Sequence, residues 1–297
     1  MTFSRALSQA DAVCDVAMSL STGFSAVYQG LKFTGFSIAG ITTSIAMPEF
    51  DLCFDVAQGL PYQIPFNTIL ITHGHMDHAS GLPYLLAMKS MMGQAVPNVH
   101  MPESLIEPMT KIMAIWAEID QHEYRFNFIP VKNNESVPLK GSLSFRAFPT
   151  LHRVPSHGYT IFERKKRLKE EYRTVTPHEL GVLRKQGTVL DEHREEPLVS
   201  FTGDTKIEFL DSEIARKSKV LIMEVTYWDQ KKSVSNAREW GHIHFDELLS
   251  QLDRIESEKI VLIHASARYT TPYLNEILKS RIPDRHQERV ILFPRPM

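Results

Sequence analysis

Three imidazoles and a carboxylate fall within six residues in Thr72-His73-Gly74-His75-Met76-Asp77-His78, directly after an apolar run. So many donors cannot all be satisfied in a core, and protonated imidazoles this close would repel one another. Neutral imidazole and carboxylate suit Zn²⁺, and alternating donors on a turning loop can divide between two ions. Gly74, without a side chain, lets the loop bend so that both neighbours point inward. The bland alternative is a solvated histidine tract.

Five later segments hold further donors and acids: His152-Arg153-Val154-Pro155-Ser156-His157-Gly158-Tyr159, Phe201-Thr202-Gly203-Asp204-Thr205, Met223-Glu224-Val225-Thr226-Tyr227, Gly241-His242-Ile243-His244 and Leu262-Ile263-His264-Ala265-Ser266-Ala267-Arg268-Tyr269. In this order they resemble the segments of the ribonuclease Z family, tRNA 3′-processing endonucleases of the metallo-β-lactamase superfamily, in the short form found in plants. The resemblance extends from about Phe33 to the C-terminus.

It implies a ligand set. One zinc would take His73, His75 and His152, the other Asp77, His78 and His264, and Asp204 would bridge them, two Zn²⁺ per subunit with Mn²⁺ or Fe as substitutes. Each ion would keep an open position, as a catalytic site requires. His157 competes with His152, but the family's ligand precedes the serine. Asp55, in Phe54-Asp55-Val56, would brace the ligand loop, although an Asp after a strand also caps turns. Catalysis would fall to Asp77, His242 and Glu224, the histidine protonating the leaving ribose 3′-oxygen and the glutamate orienting it. The remaining histidines, His100, His122, His178, His193, His244 and His286 with His157, read as surface or structural.

Such donors need rigid elements to deliver them. Apolar runs at Phe36–Ile45, Leu52–Val56, Thr68–Thr72, Leu143–Phe148, Leu198–Thr202, Val220–Glu224 and Ile260–His264 read as buried strands. Helical periodicity marks Gly81–Met92, Ser104–Ala117, His244–Ile255 and Thr271–Lys279, the second with Leu105, Met109, Ile112, Met113 and Trp116 on one face. Periodicity alone says α/β. The resemblance implies a four-layer αββα sandwich, two mostly antiparallel sheets faced by helices, as one domain over residues 1–297.

With 297 residues, 43% hydrophobic and 23% charged, the chain can bury a large core, which excludes wholesale disorder. No apolar run approaches the roughly 18 residues that cross a bilayer, so no membrane role is expected. Cys14 and Cys53 cannot make a disulfide framework, and Asp11 and Asp15 interrupt any signal-peptide core; both point to the cytoplasm.

A net charge of −2 excludes a uniformly basic nucleic-acid binder. Residues 163–197 are charged and poor in apolar residues, and read as an inserted arm. From Glu163 to Gly187 Arg164, Lys165, Lys166, Arg167, Lys169, Arg173, Arg184 and Lys185 oppose Glu163, Glu170, Glu171 and Glu179, a balance of 8 − 4 = +4. The family grips tRNA with an exosite arm in this slot, so Lys165, Lys166, Arg167 and Lys169 would meet phosphates, in a short plant-type arm. Ser266, Arg268 and Tyr269 are candidate phosphate contacts; alternatively Arg268 closes a salt bridge and Tyr269 packs at a helix start.

The expected function is zinc-dependent cleavage of the 3′ trailer from precursor tRNA by metal-activated water, and the family commonly works as homodimers. The alternatives are a hydrolase of a small phosphodiester, sulfate ester or thioester, and a non-catalytic RNA-binding module.

Overall fold

A strand whose successive side chains are all apolar needs cover on both faces, and this chain has several. The computed structural model describes residues 22–295, so Asp11, Cys14 and Asp15 lie outside the described residues. Two seven-stranded sheets follow the chain in order. The first holds β1 (Phe24–Tyr28), β2 (Leu31–Ile38), β3 (Thr42–Met47), β4 (Leu52–Phe54), β5 (Thr68–Leu70), β6 (Asn98–Pro102) and β7 (Asn127–Val131). The second holds β8 (Ser136–Pro138), β9 (Leu143–Pro149), β10 (His157–Leu168), β11 (Asp191–Phe201), β12 (Val220–Glu224), β13 (Lys259–Ile263) and β14 (Val290–Leu292). The helices are α1 (Met76–Ala79), α2 (Leu82–Met91), α3 (Glu103–Asp120), α4 (Pro177–Lys185), α5 (Glu213–Arg216), α6 (Val234–Glu239), α7 (Phe245–Gln251), α8 (Thr271–Arg281) and α9 (Asp284–Gln287).

Strand alternation sets the layers. Along β12, Val220 and Ile222 enter the core between the sheets, while Leu221 and Met223 enter an outer core with Phe245, Leu248, Leu274 and Leu278 of α7 and α8. In the first sheet Leu70 faces inward, and Ile69 and Ile71 pack outward with Leu82, Leu85 and Leu86 of α2. Phe54 and Phe201 stack across the sheets with centroids 4.7 Å apart. This is the expected four-layer sandwich.

The pairing corrects one expectation. β1 to β4 are antiparallel and β4 to β7 parallel, and β8 to β11 and β11 to β14 repeat that division. The sheets are therefore evenly mixed rather than mostly antiparallel, because helices occupy several of the later crossovers and parallel neighbours need such long connections. The run Phe36–Ile45 is not one strand: β2 and β3 fold back through Ala39–Ile41, with Gly40 at φ 70°, and apolar residues on both sides of the turn disguise it. On α3, Met109 and Met113 are buried, but Ile112 and Trp116 are 39% and 45% exposed, so the expected five-residue face is only partly used. The helix expected to reach Ile255 ends at Gln251, followed by a 3₁₀ turn over Leu252–Arg254.

β10 and β11 run on past their neighbours as a two-stranded ribbon, paired out to Leu168 and Asp191, and α4 closes its far end. Here the charge expectation changes. The returning strand brings Asp191, Glu192, Glu195 and Glu196, so residues 163–197 hold nine bases and eight acids, or +1. Lys165 lies 2.7 Å from Glu196, Arg167 2.5 Å from Glu196 and Lys166 3.1 Å from Asp191.

Candidate metal centre

Strand ends at one edge of the sandwich carry the polar residues. Asp55 follows β4, His73 follows β5, His152 follows β9, Asp204 follows β11, Glu224 ends β12 and His264 follows β13. Asp55 and His264 have φ of 51° and 61°, so the chain turns off each strand at the residue that serves the site. Asp77 and His78 sit on α1, with His75 as its N-cap residue.

Two donor groups without shared members assemble there, His73, His75, His152 and Asp204, and Asp77, His78 and His264, each with its ligand atoms within 4.8 Å of one another; Asp204, His242 and His264 form a third that overlaps both. Asp204 joins them. Its Oδ2 lies 3.8 Å from His73 Nε2 and 3.9 Å from His152 Nε2; its Oδ1 lies 3.3 Å from both His78 Nε2 and His264 Nε2. Asp77 Oδ2 lies 3.4 Å from His264 Nε2 and 3.7 Å from His78 Nε2. His75 faces the first group with Nδ1, 3.1 Å from His152 Nε2.

The surrounding hydrogen bonds fix the tautomers. His78 Nδ1–H donates to Asp55 Oδ2 at 2.7 Å, and His152 Nδ1–H to the Gly241 carbonyl at 2.9 Å. The Thr72 hydroxyl donates to Asp55, so His73 Nδ1–H donates to that hydroxyl at 3.0 Å. The Thr226 hydroxyl donates to Glu224 Oε2 at 2.6 Å and accepts from His264 Nδ1–H at 3.0 Å. All four rings thereby turn Nε2 inward, the nitrogen a cation would take in place of a proton. His73 Nε2 and Asp204 Oδ1 are buried without a hydrogen-bond partner among the described residues. Orphaned acceptors of this kind are costly in an interior, and a divalent ion satisfies them. The residues fit a metal.

The electrostatics agree. Burial, and then the His78 charge, drives His73 well below its ordinary pKa, and burial lowers His75 and His152. Burial alone would lower His78, but Asp204 and Asp55 hold it well above the ordinary value, so this pocket demands positive charge. Burial would raise Asp77, yet the His264 hydrogen bond and the His78 charge bring it down to about 2.

At the rim, His242 Nδ1–H donates to Glu224 Oε1 at 2.9 Å. Burial opposes its protonation, but Glu224 lifts it to about 9. Glu224 is fully buried and also accepts from the Thr205 backbone N–H at 2.8 Å. A carboxylate this firmly held keeps the imidazole in one tautomer, with Nε2 free to hand over a proton.

His157 joins none of the donor groups, and its backbone N–H bonds Thr72 instead. His244 is buried and caps α7, accepting from Asp246 N–H. A Cβ on Gly74 would come 2.8 Å from the tip of the Leu105 side chain on α3, so the loop and this helix also pack closely there. Arg268 makes no ion pair among the described residues and lies over the Tyr227 ring at 5.7 Å, bonding the Ser266 hydroxyl. Tyr269 is buried and its hydroxyl donates to Asp229. Thr226, which ties His264 to Glu224, was legible only as a motif letter; a hydroxyl two residues after a buried acid was the available signal.

A family model described as a β-lactamase superfamily domain matches residues 50–265. The chain is 32% identical to tRNase Z TRZ1 of Arabidopsis thaliana, covering 86% of this chain and 92% of that protein. It is 30% identical to the chloroplastic tRNase Z TRZ2 of the same plant, covering 82% and 69%. The crystal structure of the human short-form tRNase Z superposes with a TM-score of 0.57 at 18% identity, covering 94% of this chain and 96% of that one, a likeness of fold.

Proposed function

The chain belongs to the ribonuclease Z family of the β-lactamase superfamily, and from that premise we propose that it is a metal-dependent endoribonuclease that removes 3′ trailers from precursor tRNA. The observation that carries this reading is the His242–Glu224 pair, set 2.9 Å apart at the rim of the donor cluster. A leaving ribose 3′-oxygen is a poor leaving group and needs a proton as the bond breaks.

We assign two Zn²⁺ ions to the site, with Mn²⁺ or Fe as substitutes: His73, His75 and His152 to one, Asp77, His78 and His264 to the other, and Asp204 to both. Bound there, such a pair supplies hydroxide at neutral pH and neutralises charge on the phosphate. The chain's own groups do the rest. His242 Nε2 delivers the proton to the 3′-oxygen, and Glu224 holds the ring in that tautomer. Asp55 and Thr72 fix His78 and His73 in place. Arg268, without a carboxylate partner among the described residues, and Ser266 are suited to a neighbouring phosphate.

Residues 163–197 serve as the tRNA-gripping arm of a single domain. Its bases are engaged by acids, but exposed pairs of this sort are weak and exchange readily for phosphate. A homodimer is supported by the apolar side chains that α3 leaves open, Ile112, Ile115, Trp116 and Ile119. No described helix is long and apolar enough to cross a membrane. We place the protein in the cytoplasm, in keeping with its low cysteine content.

Incubation with 3′-extended precursor tRNA and with bis-p-nitrophenyl phosphate, with and without chelator, tests the whole reading. Chelator-sensitive RNA cleavage supports it. Dye release alone points to a small-molecule hydrolase, and RNA binding without turnover to a binding module.

A further inference from the structure

An exposed aromatic residue, Trp240, precedes the proton donor by two positions. Trp240 is two residues before His242, so with Cα atoms 3.8 Å apart along the chain the two lie within about 7.6 Å. The intervening Gly241 has φ 79°, its carbonyl accepts from His152, and a Cβ on it would come 2.7 Å from His152 Nδ1. The backbone next to Trp240 is therefore pinned to a side chain of the donor cluster. The indole itself is 49% exposed. The Arg153 guanidinium, from the residue after His152, lies 4.4 Å from its ring centroid, and Arg153 makes no ion pair among the described residues.

We propose that Trp240, with Arg153 against its ring, is a stacking platform for the base of the nucleotide immediately 5′ to the cleaved bond. This rests on the endonuclease reading above and adds how the substrate is seated. The oxygen that His242 protonates and this base hang from the same ribose, so the base must lie close to His242. Unpaired bases stack on aromatic rings and on guanidinium planes, and the contact tolerates any base because each has a π-face. A base held in a duplex cannot reach the ring. The platform therefore selects an unpaired nucleotide at the cleavage position rather than a sequence.

The experiment compares kcat/KM on two 3′-extended precursors, one intact and one with an abasic ribose immediately 5′ to the cleaved bond. For the unaltered chain, removing the base should cost about tenfold or more. Trp240→Ala should lose a similar factor on the intact precursor and little further on the abasic one, while Trp240→Phe keeps most of the activity. Losses that multiply, so that the abasic ribose costs Trp240→Ala as much as it costs the unaltered chain, would overturn the platform alone. Should Trp240→Ala lose bound metal, Arg153→Gln carries the same comparison. If the unaltered chain cleaves neither precursor, the endonuclease reading falls and the platform with it.

Discussion

Glu224 Oε1 accepts the Nδ1–H of His242 at 2.9 Å, while its Oε2 accepts the Thr226 hydroxyl that in turn steadies His264. One buried carboxylate thus orients a ring at the rim and, through one hydroxyl, a ring within the donor cluster. Glu224 is fully buried, so neither hydrogen bond competes strongly with water.

His242→Ala should retain bound metal, since none of the donor groups assigned to the two ions needs this ring. Cleavage of precursor tRNA should drop by on the order of 10²-fold or more. Elemental analysis alongside single-turnover kinetics checks both halves. Undiminished cleavage at full metal content would remove the donor.

Replacing residues Arg164 to Lys185 by a short turn should raise KM for precursor tRNA and spare hydrolysis of bis-p-nitrophenyl phosphate. Equal losses on both substrates would deny the ribbon any part in gripping RNA. Binding should also weaken steeply with added salt, as phosphate contacts do.

Trp116→Glu should convert a dimer to a monomer, measured as molar mass by light scattering. The ring is 45% exposed, so the substitution leaves the subunit core alone. An unchanged mass would place any interface elsewhere.

His100, which belongs to none of the donor groups, offers a pH test. It is 5% exposed, lies edge-on to Phe145 with ring centroids 4.9 Å apart, and its Nδ1 has no hydrogen-bond partner among the described residues; burial lowers its pKa to about 4. The unfolded chain, with an ordinary value near 6.5, binds this proton first as pH falls. Stability should therefore be intact above about pH 6.5 and decline towards pH 4, by up to about 3 kcal/mol. Urea unfolding of the unaltered chain and His100→Phe at pH 7 and pH 5 tests the sign: the difference should shift against the unaltered chain at pH 5. Parallel behaviour at both values would show that His100 is not the source.

The donor cluster was readable because metal chemistry demands rare residue types at short spacing, as in His73-Gly74-His75-Met76-Asp77-His78. Strand ends were readable wherever an apolar run stopped at a polar residue, as at Ile263-His264. What escaped was set by distant partners. The turn at Gly40 interrupts an apolar run without a polar break, so β2 and β3 merged. The bases of the ribbon looked free because the acids opposite them arrive some thirty residues later. Ile112 and Trp116 carry helical periodicity, yet periodicity does not say whether a face finds a neighbour within the same subunit.

Each sheet is built from one contiguous half of the chain, and the donor cluster draws on both. His73, His75, Asp77 and His78 belong to the first half, and His152, Asp204 and His264 to the second. Each of the two assigned donor groups takes members from both halves. On the proposed assignment, metal capture would be conditional on the halves having closed on one another, and a captured ion would return its binding free energy to that closed arrangement. Occupancy of the cage is a chemical record that the two halves have met in register.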